Sequence, residues 1–154
     1  MRNIIIFGEC KSLIKELVTT LIPGPNIEMS ICNSIHVLTD NKSYCCVYGE
    51  GTVDFRMVNY LNAAKSILIC YDMNGDRASY CPYWIETVRQ YTEHIPITVV
   101  GLKMTDTIKE NAEQLCEPYN VTHLVSNPME DKVVREYLDQ GKDLSSRKSF
   151  CCWL

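Results

Sequence analysis

No stretch of the sequence approaches the roughly 18 to 20 uninterrupted apolar residues of a membrane-spanning helix. The opening Met1-Arg2-Asn3-Ile4 is also too short in its apolar part for a secretory signal, so the chain is expected to be made and kept in the cytosol. Basic charge is in deficit, with 15 Lys and Arg against 19 Asp and Glu and a net charge of -4. No basic stripe is therefore available to neutralise phosphates, which sets nucleic acid aside as a partner. Nine cysteines are present, yet they form no C-x-x-C pair and no Cys/His ligand spacing, so no metal site is expected. Most should be small buried hydrophobes in a reducing compartment, where the sequons at Asn41 and Asn120 would go unused. Internal repeats and low-complexity blocks are absent as well.

What is present suits one globular domain: 154 residues, 46% of them apolar. Ile4 to Phe7 is a β-branched apolar run closed by Gly8, and from Ser12 to Leu21 the residues Leu13, Ile14, Leu17, Val18 and Leu21 recur at helical spacing. Pro23-Gly24-Pro25 stops that helix. Alternating stretches at Ile35 to Leu38 and Tyr44 to Val47 flank Thr39-Asp40-Asn41-Lys42 and predict an antiparallel pair. Ser66 to Tyr71 and Pro96 to Gly101 are near-continuous apolar runs, the pattern of strands covered on both faces. Val121 to Val125 reads as a last strand, and Pro82 to Tyr91, Thr107 to Cys116 and Asp131 to Leu138 read as helices. The alternation predicts an α/β domain over residues 1–140: six strands, mostly parallel, with helices on both faces. Residues 141–154 lack a face to bury and read as a flexible tail.

In an open parallel sheet the ligand crevice lies at the carboxyl ends of the strands, which places Gly8-Glu9-Cys10-Lys11-Ser12 where a phosphate would meet a helix N-terminus. A phosphate loop of the form G-x-x-x-x-G-K-S/T needs enough residues to curl its amides round the phosphates, a glycine before the lysine, and a magnesium-binding hydroxyl. Lys11 and Ser12 satisfy the end of that pattern. Cys10 stands in place of the glycine, Glu9 brings a like charge, and the loop is about three residues short.

Through Ser66 to Asp72, Tyr83 to Tyr91 and Ile95 to Gly101, and more weakly toward both ends, the chain resembles the Rab-type small GTPases of the Ras superfamily. Ser66 to Asp72 looks like the strand ending in V-Y-D. Tyr83-Trp84-Ile85 through Tyr91, with Ile95 to Gly101, is similar to the stretch W-I-x-x-I-R…P-I-x-L-V-G-N-K-x-D. Gly49 to Arg56 resembles the second switch, D-T-A-G-Q-E-x-F-R, and Asn59 to Ala63 the helix that follows. By that resemblance the magnesium-linked aspartate falls on Tyr48 and the water-orienting glutamine on Thr52, while Gly51 matches the glycine whose amide meets the γ-phosphate. Both losses fall on the chemical step, so no catalytic residue is expected. N-K-x-D falls on Leu102-Lys103-Met104-Thr105, and only Lys103 survives. S-A-K falls on Ser126-Asn127-Pro128, where the proline has no amide hydrogen to give the base. No threonine of the first switch stands in Pro23 to Ile31, a segment about four residues short. The remaining nucleotide-binding set is then Gly8, Lys11, Ser12, Gly51 and Lys103.

Cys151-Cys152-Trp153-Leu154 matches the C-a-a-X prenylation signal, with leucine pointing to geranylgeranyl, and also looks like the C-C-x-x ending of Rab proteins. Cys151 and Cys152 are the expected lipid acceptors, preceded by Arg147 and Lys148. His36, His94 and His123 form no triad or metal set and read as ordinary surface or strand residues, and Trp84 and Tyr91 as packing residues with Tyr80 and Tyr83 partly exposed.

The resemblance and its losses imply a Rab-like pseudo-GTPase, lipid-anchored to the cytoplasmic face of a membrane. It would act without a cofactor by binding the prenylation machinery and Rab-binding or trafficking proteins, in vesicle trafficking or its subversion. One alternative is a divergent GTPase that holds GTP or GDP with magnesium through Lys11, Ser12 and Gly51. Another is a flavodoxin-like domain with a fortuitous tail.

Overall fold

The computed structural model describes residues 1–32, 34–50, 59–75, 77–104, 111–130 and 132–147. Its strands are β1 (Arg2–Gly8), β2 (Ile27–Cys32), β3 (Ile35–Thr39), β4 (Tyr44–Glu50), β5 (Ser66–Asp72), β6 (Ile97–Leu102) and β7 (Thr122–Ser126). The helices are α1 (Lys11–Leu21), α2 (Cys81–Arg89), the single turn α3 (Glu113–Cys116) and α4 (Lys132–Arg147). One seven-stranded sheet carries them all, in the order β2-β3-β4-β1-β5-β6-β7. The pairs β4/β1, β1/β5, β5/β6 and β6/β7 run parallel, while β2/β3 and β3/β4 run antiparallel.

The period-two alternation of the central strands explains how they serve two cores. Ile4 and Ile6 of β1 join Ile14, Leu17, Val18 and Leu21 of α1 and Val134 and Leu138 of α4 on one face. Ile5 and Phe7 join Cys81, Trp84, Ile85 and Val88 of α2 and Cys116 of α3 on the other. Each of these fully buried Ile, Leu or Val side chains contributes roughly 1.5–3 kcal/mol of transfer free energy. Phe7 meets Trp84 edge to face at a centroid distance of 5.4 Å, which fixes α2 across the end of β1.

The turn between β3 and β4 is built on one carboxylate. Asp40 Oδ1 accepts the backbone N–H of Lys42 and of Ser43, both at 2.8 Å, and of Tyr44 at 3.2 Å, and Asn41 takes a left-handed φ of 58°. Those amides, Lys42 first, hold the Asp40 carboxyl below its ordinary range.

Three expectations are corrected. The sheet has seven strands because Ile27–Cys32, which overlaps the segment Pro23 to Ile31 read as a shortened first switch, pairs antiparallel with β3 as an added edge strand. Its alternation of apolar and polar residues was hidden by the Pro-Gly-Pro stop just before it. The last helix runs on to Arg147, so the backbone is helical for seven residues into the segment read as a flexible tail. Tyr91 does not pack against the sheet: α2 ends at Arg89, and the ring is 47% exposed in the turn beyond. The helix expected from Thr107 is described only from Glu113, and the one expected from Asn59 only over residues 59–61. Gly51, Thr52, Thr105, Cys151 and Cys152 lie outside the described residues.

Candidate functional site

β1 and β5 end side by side, and the chain leaves β1 through Glu9 and Cys10 alone before α1 begins at Lys11. So short a turn requires Gly8. Its φ is +154°, and a Cβ there would lie 1.9 Å from the Cys70 carbonyl oxygen of β5. The glycine that the sequence offers as a phosphate contact is thus required by strand packing. Cys10 occupies the N-cap position without a side-chain cap, although its carbonyl accepts the first helical bond from the Ile14 N–H at 2.9 Å.

In front of this helix start lies an open cleft of about 700 Å³, lined by residues 9–13, Lys15, Asp72, Gly75 and Arg77. Lys11 and Ser12 are exposed on its wall. Arg77 Nη1 stands 3.1 Å from Glu9 Oε2, with Arg77 about half exposed and Glu9 about a quarter. The guanidinium also sits 5.3 Å from the centroid of Tyr80. Across the cleft the Asp72 carboxylate accepts the Asn74 N–H at 2.9 Å, closing the turn after β5.

A second cleft of about 410 Å³ opens further along the same carboxyl edge, after β6 and β7. Lys103, Met104, Ser126, Asn127, Glu130 and Lys132 are among the residues that line it. The Lys103 N–H donates to the Ser126 carbonyl at 3.0 Å, and Asn127 Oδ1 accepts the Met129 N–H at 2.9 Å, so that amide side chain is engaged in its own turn. Pro128 is buried, and its carbonyl accepts the Thr20 hydroxyl of α1 at 3.0 Å.

The structure therefore brings Lys11 and Ser12 together at the first cleft, leaves Gly8 packed against β5 behind it, and puts Lys103 at the second. Sequence reasoning missed Arg77, because a lone arginine in a loop carries no pattern; only proximity to Glu9 marks it.

Tyr48, onto which the resemblance maps the magnesium-linked aspartate, does not line the first cleft. It is buried in β4 on the α1 face, its ring stacked on His36 at 5.4 Å and its hydroxyl donating to Glu28 Oε1 of β2 at 3.0 Å. Desolvation, with Glu28 beside it, pushes the phenol up to about 12. A neutral phenol engaged by a carboxylate cannot replace an aspartate toward a divalent cation, and a two-residue turn cannot wrap its amides round a polyphosphate. Among the described residues, the turn of Glu9 and Cys10 and the Tyr48 phenol do not fit a magnesium-bound nucleotide. Among the described residues no cluster of three His, Cys, Asp or Glu side chains is arranged to hold a metal ion.

On the opposite face a second polar group is fully engaged. The Tyr71 hydroxyl lies 2.8 Å from His123 Nε2 and accepts the Ala112 N–H at 3.0 Å, so donation to a neutral imidazole satisfies the phenol. Burial lowers the His123 pKa below its ordinary value. The thiols Cys81 and Cys116 are buried, and their mutual interaction raises the pKa of the first and lowers that of the second. No protein-family model matches the chain, and no curated protein matches it.

Proposed function

We propose that the chain is a membrane-anchored, Rab-like pseudo-GTPase that works by presenting its outer surface to proteins of vesicle trafficking, with little or no GTP hydrolysis. The observation that carries the reading is the Glu9 carboxylate, paired with Arg77 at 3.1 Å in the cleft where α1 starts. A nearby cation, one of the features that attract a phosphate, is already paired with an internal anion there. Tyr48 in the place of the magnesium-linked aspartate supports the same reading, as does the α/β sheet with α1 following β1.

Anchoring is the second half of the proposal. Cys151 and Cys152 would take geranylgeranyl groups from the prenylation machinery, which requires the tetrapeptide to stand free at the carboxyl terminus. Two such chains hold a protein stably on the cytoplasmic face of a membrane. Intact-mass measurement of protein made in eukaryotic cells should find one or two isoprenoids and no bound nucleotide. Cys151→Ser with Cys152→Ser should move the protein to the soluble fraction; unchanged fractionation, with no added mass on the native chain, defeats the anchoring claim.

A specific arrangement favours one other reading, a divergent GTPase, since Lys11, Ser12 and Asp72 line the same cleft. It requires purified protein to carry guanine nucleotide and phosphate release to vanish in Lys11→Ala.

A further inference from the structure

β2 ends the sheet, and beyond it no strand of the described residues pairs. Its sequence, Ile-Glu-Met-Ser-Ile-Cys, contains neither of the residues that usually protect a free edge, lysine and proline. The one charged side chain in it is engaged elsewhere: Glu28 pairs in register with Leu38, lies toward the α1 face and accepts the Tyr48 hydroxyl at 3.0 Å. Met29 pairs with Val37, whose side chain belongs to the core on the α2 face, and Ile31 packs against that same core. Ile27 and Met29 are nevertheless 48% and 53% exposed. The outer edge thus combines unextended strand backbone with an apolar row on one face.

From this edge we propose that two copies of the chain pair β2 against β2, antiparallel, about a twofold axis that passes beside Met29. The segment is self-complementary in that register. Met29 lies opposite Met29, Ile27 opposite Ile31 on both sides, and Glu28 opposite Ser30, so three apolar pairs line one face and no like charges meet directly on the other. The other symmetric registers are poorer: centring on Glu28 sets two carboxylates face to face, and centring on Ser30 leaves Ile27 beyond the end of the pairing. The bulge between Ser30 and Cys32 limits the ladder to about five residues, which makes the dimer a weak, concentration-dependent one. The pairing stands on the edge alone and does not depend on what the cleft binds.

Light scattering coupled to size exclusion, on the full chain under reductant from about 1 to about 100 µM, should show a monomer giving way to a dimer. Amides of Ile27 to Ile31 should exchange more slowly as concentration rises. Met29→Lys sets two ammonium groups opposite each other and should raise the dissociation constant at least about tenfold, whereas Met29→Leu should leave it within about twofold. Should far-UV circular dichroism find Met29→Lys unfolded, Ile27→Lys replaces it with the same expectation. A chain that stays monomeric over the whole range, whatever else covers the edge, overturns the proposal. So does a dimer that a folded lysine variant leaves intact.

Discussion

The Glu9 carboxylate reaches Arg77 at 3.1 Å across the mouth of α1, joining the turn after β1 to the loop after β5. Both side chains are partly solvated, so the pair contributes little to folding even though it lies on the wall of the cleft. Exposed ion pairs of this kind are worth about 0 to 1 kcal/mol. Glu9→Gln should therefore shift the urea unfolding free energy by less than about 1 kcal/mol while it removes the charge that opposes phosphate. The same variant should bind inorganic pyrophosphate more tightly than the native chain in a calorimetric titration. A loss of stability well above that limit, or unchanged pyrophosphate affinity, would show that Glu9 is not an occupant of the site.

Gly8 makes the opposite prediction. Because an added Cβ would collide with the Cys70 carbonyl, Gly8→Ala should destabilise the fold by about 3 kcal/mol or more, with or without any ligand. Denaturant unfolding of the unliganded variant measures this. A fully stable Gly8→Ala chain would return the glycine to a role in ligand contact.

His123 gives the fold an acid limb. Its folded pKa is depressed, so its contribution is complete above the unfolded value of 6.5 and is lost as pH falls through the lower folded value. The urea midpoint of the native chain should fall as pH is lowered from neutrality past that range. His123→Gln, whose amide oxygen can still accept from Tyr71, should lose less over the same interval. Parallel pH profiles for the two proteins would exclude His123 as the titrating group.

Tyr48 gives an alkaline limb with the opposite sign. Its pKa is raised from 10.0 to about 12, so the stability it lends is present below the unfolded value and disappears as pH rises through that window. Tyr48→Phe should cost about 1 kcal/mol at neutral pH by losing the bond to Glu28. Above the unfolded value it should unfold less readily than the native chain. Identical alkaline profiles would mean that the phenol ionises freely.

Much of the fold was legible in the sequence, since buried parallel strands and amphipathic helices leave strong periods. Ile4 to Phe7, Ser66 to Tyr71 and Leu13 to Leu21 all form the expected elements. What escaped was set by contacts distant in sequence. β2 is half-exposed and short, so its alternation resembles loop, and only pairing with β3 makes it a strand. Tyr91 has the right spacing for a buried helical face, but α2 ends first. At the candidate site Glu9, Lys11 and Ser12 line one cleft at the start of α1, because they are near neighbours in the chain. The sequence did not pair Glu9 with Arg77, which lies on the far side of four intervening strands, nor Tyr48 with Glu28.

The claim on which the account depends is that the pocket at the end of β1 has too few partners left for a guanine nucleotide. Calorimetric titration of GTP and of GDP, with and without magnesium, into the purified full-length chain tests it most directly. The account predicts no saturable heat at nucleotide concentrations up to about 1 mM, a free energy weaker than about -4 kcal/mol. Magnesium-dependent binding at micromolar concentration or tighter, abolished by Lys11→Ala, would contradict it.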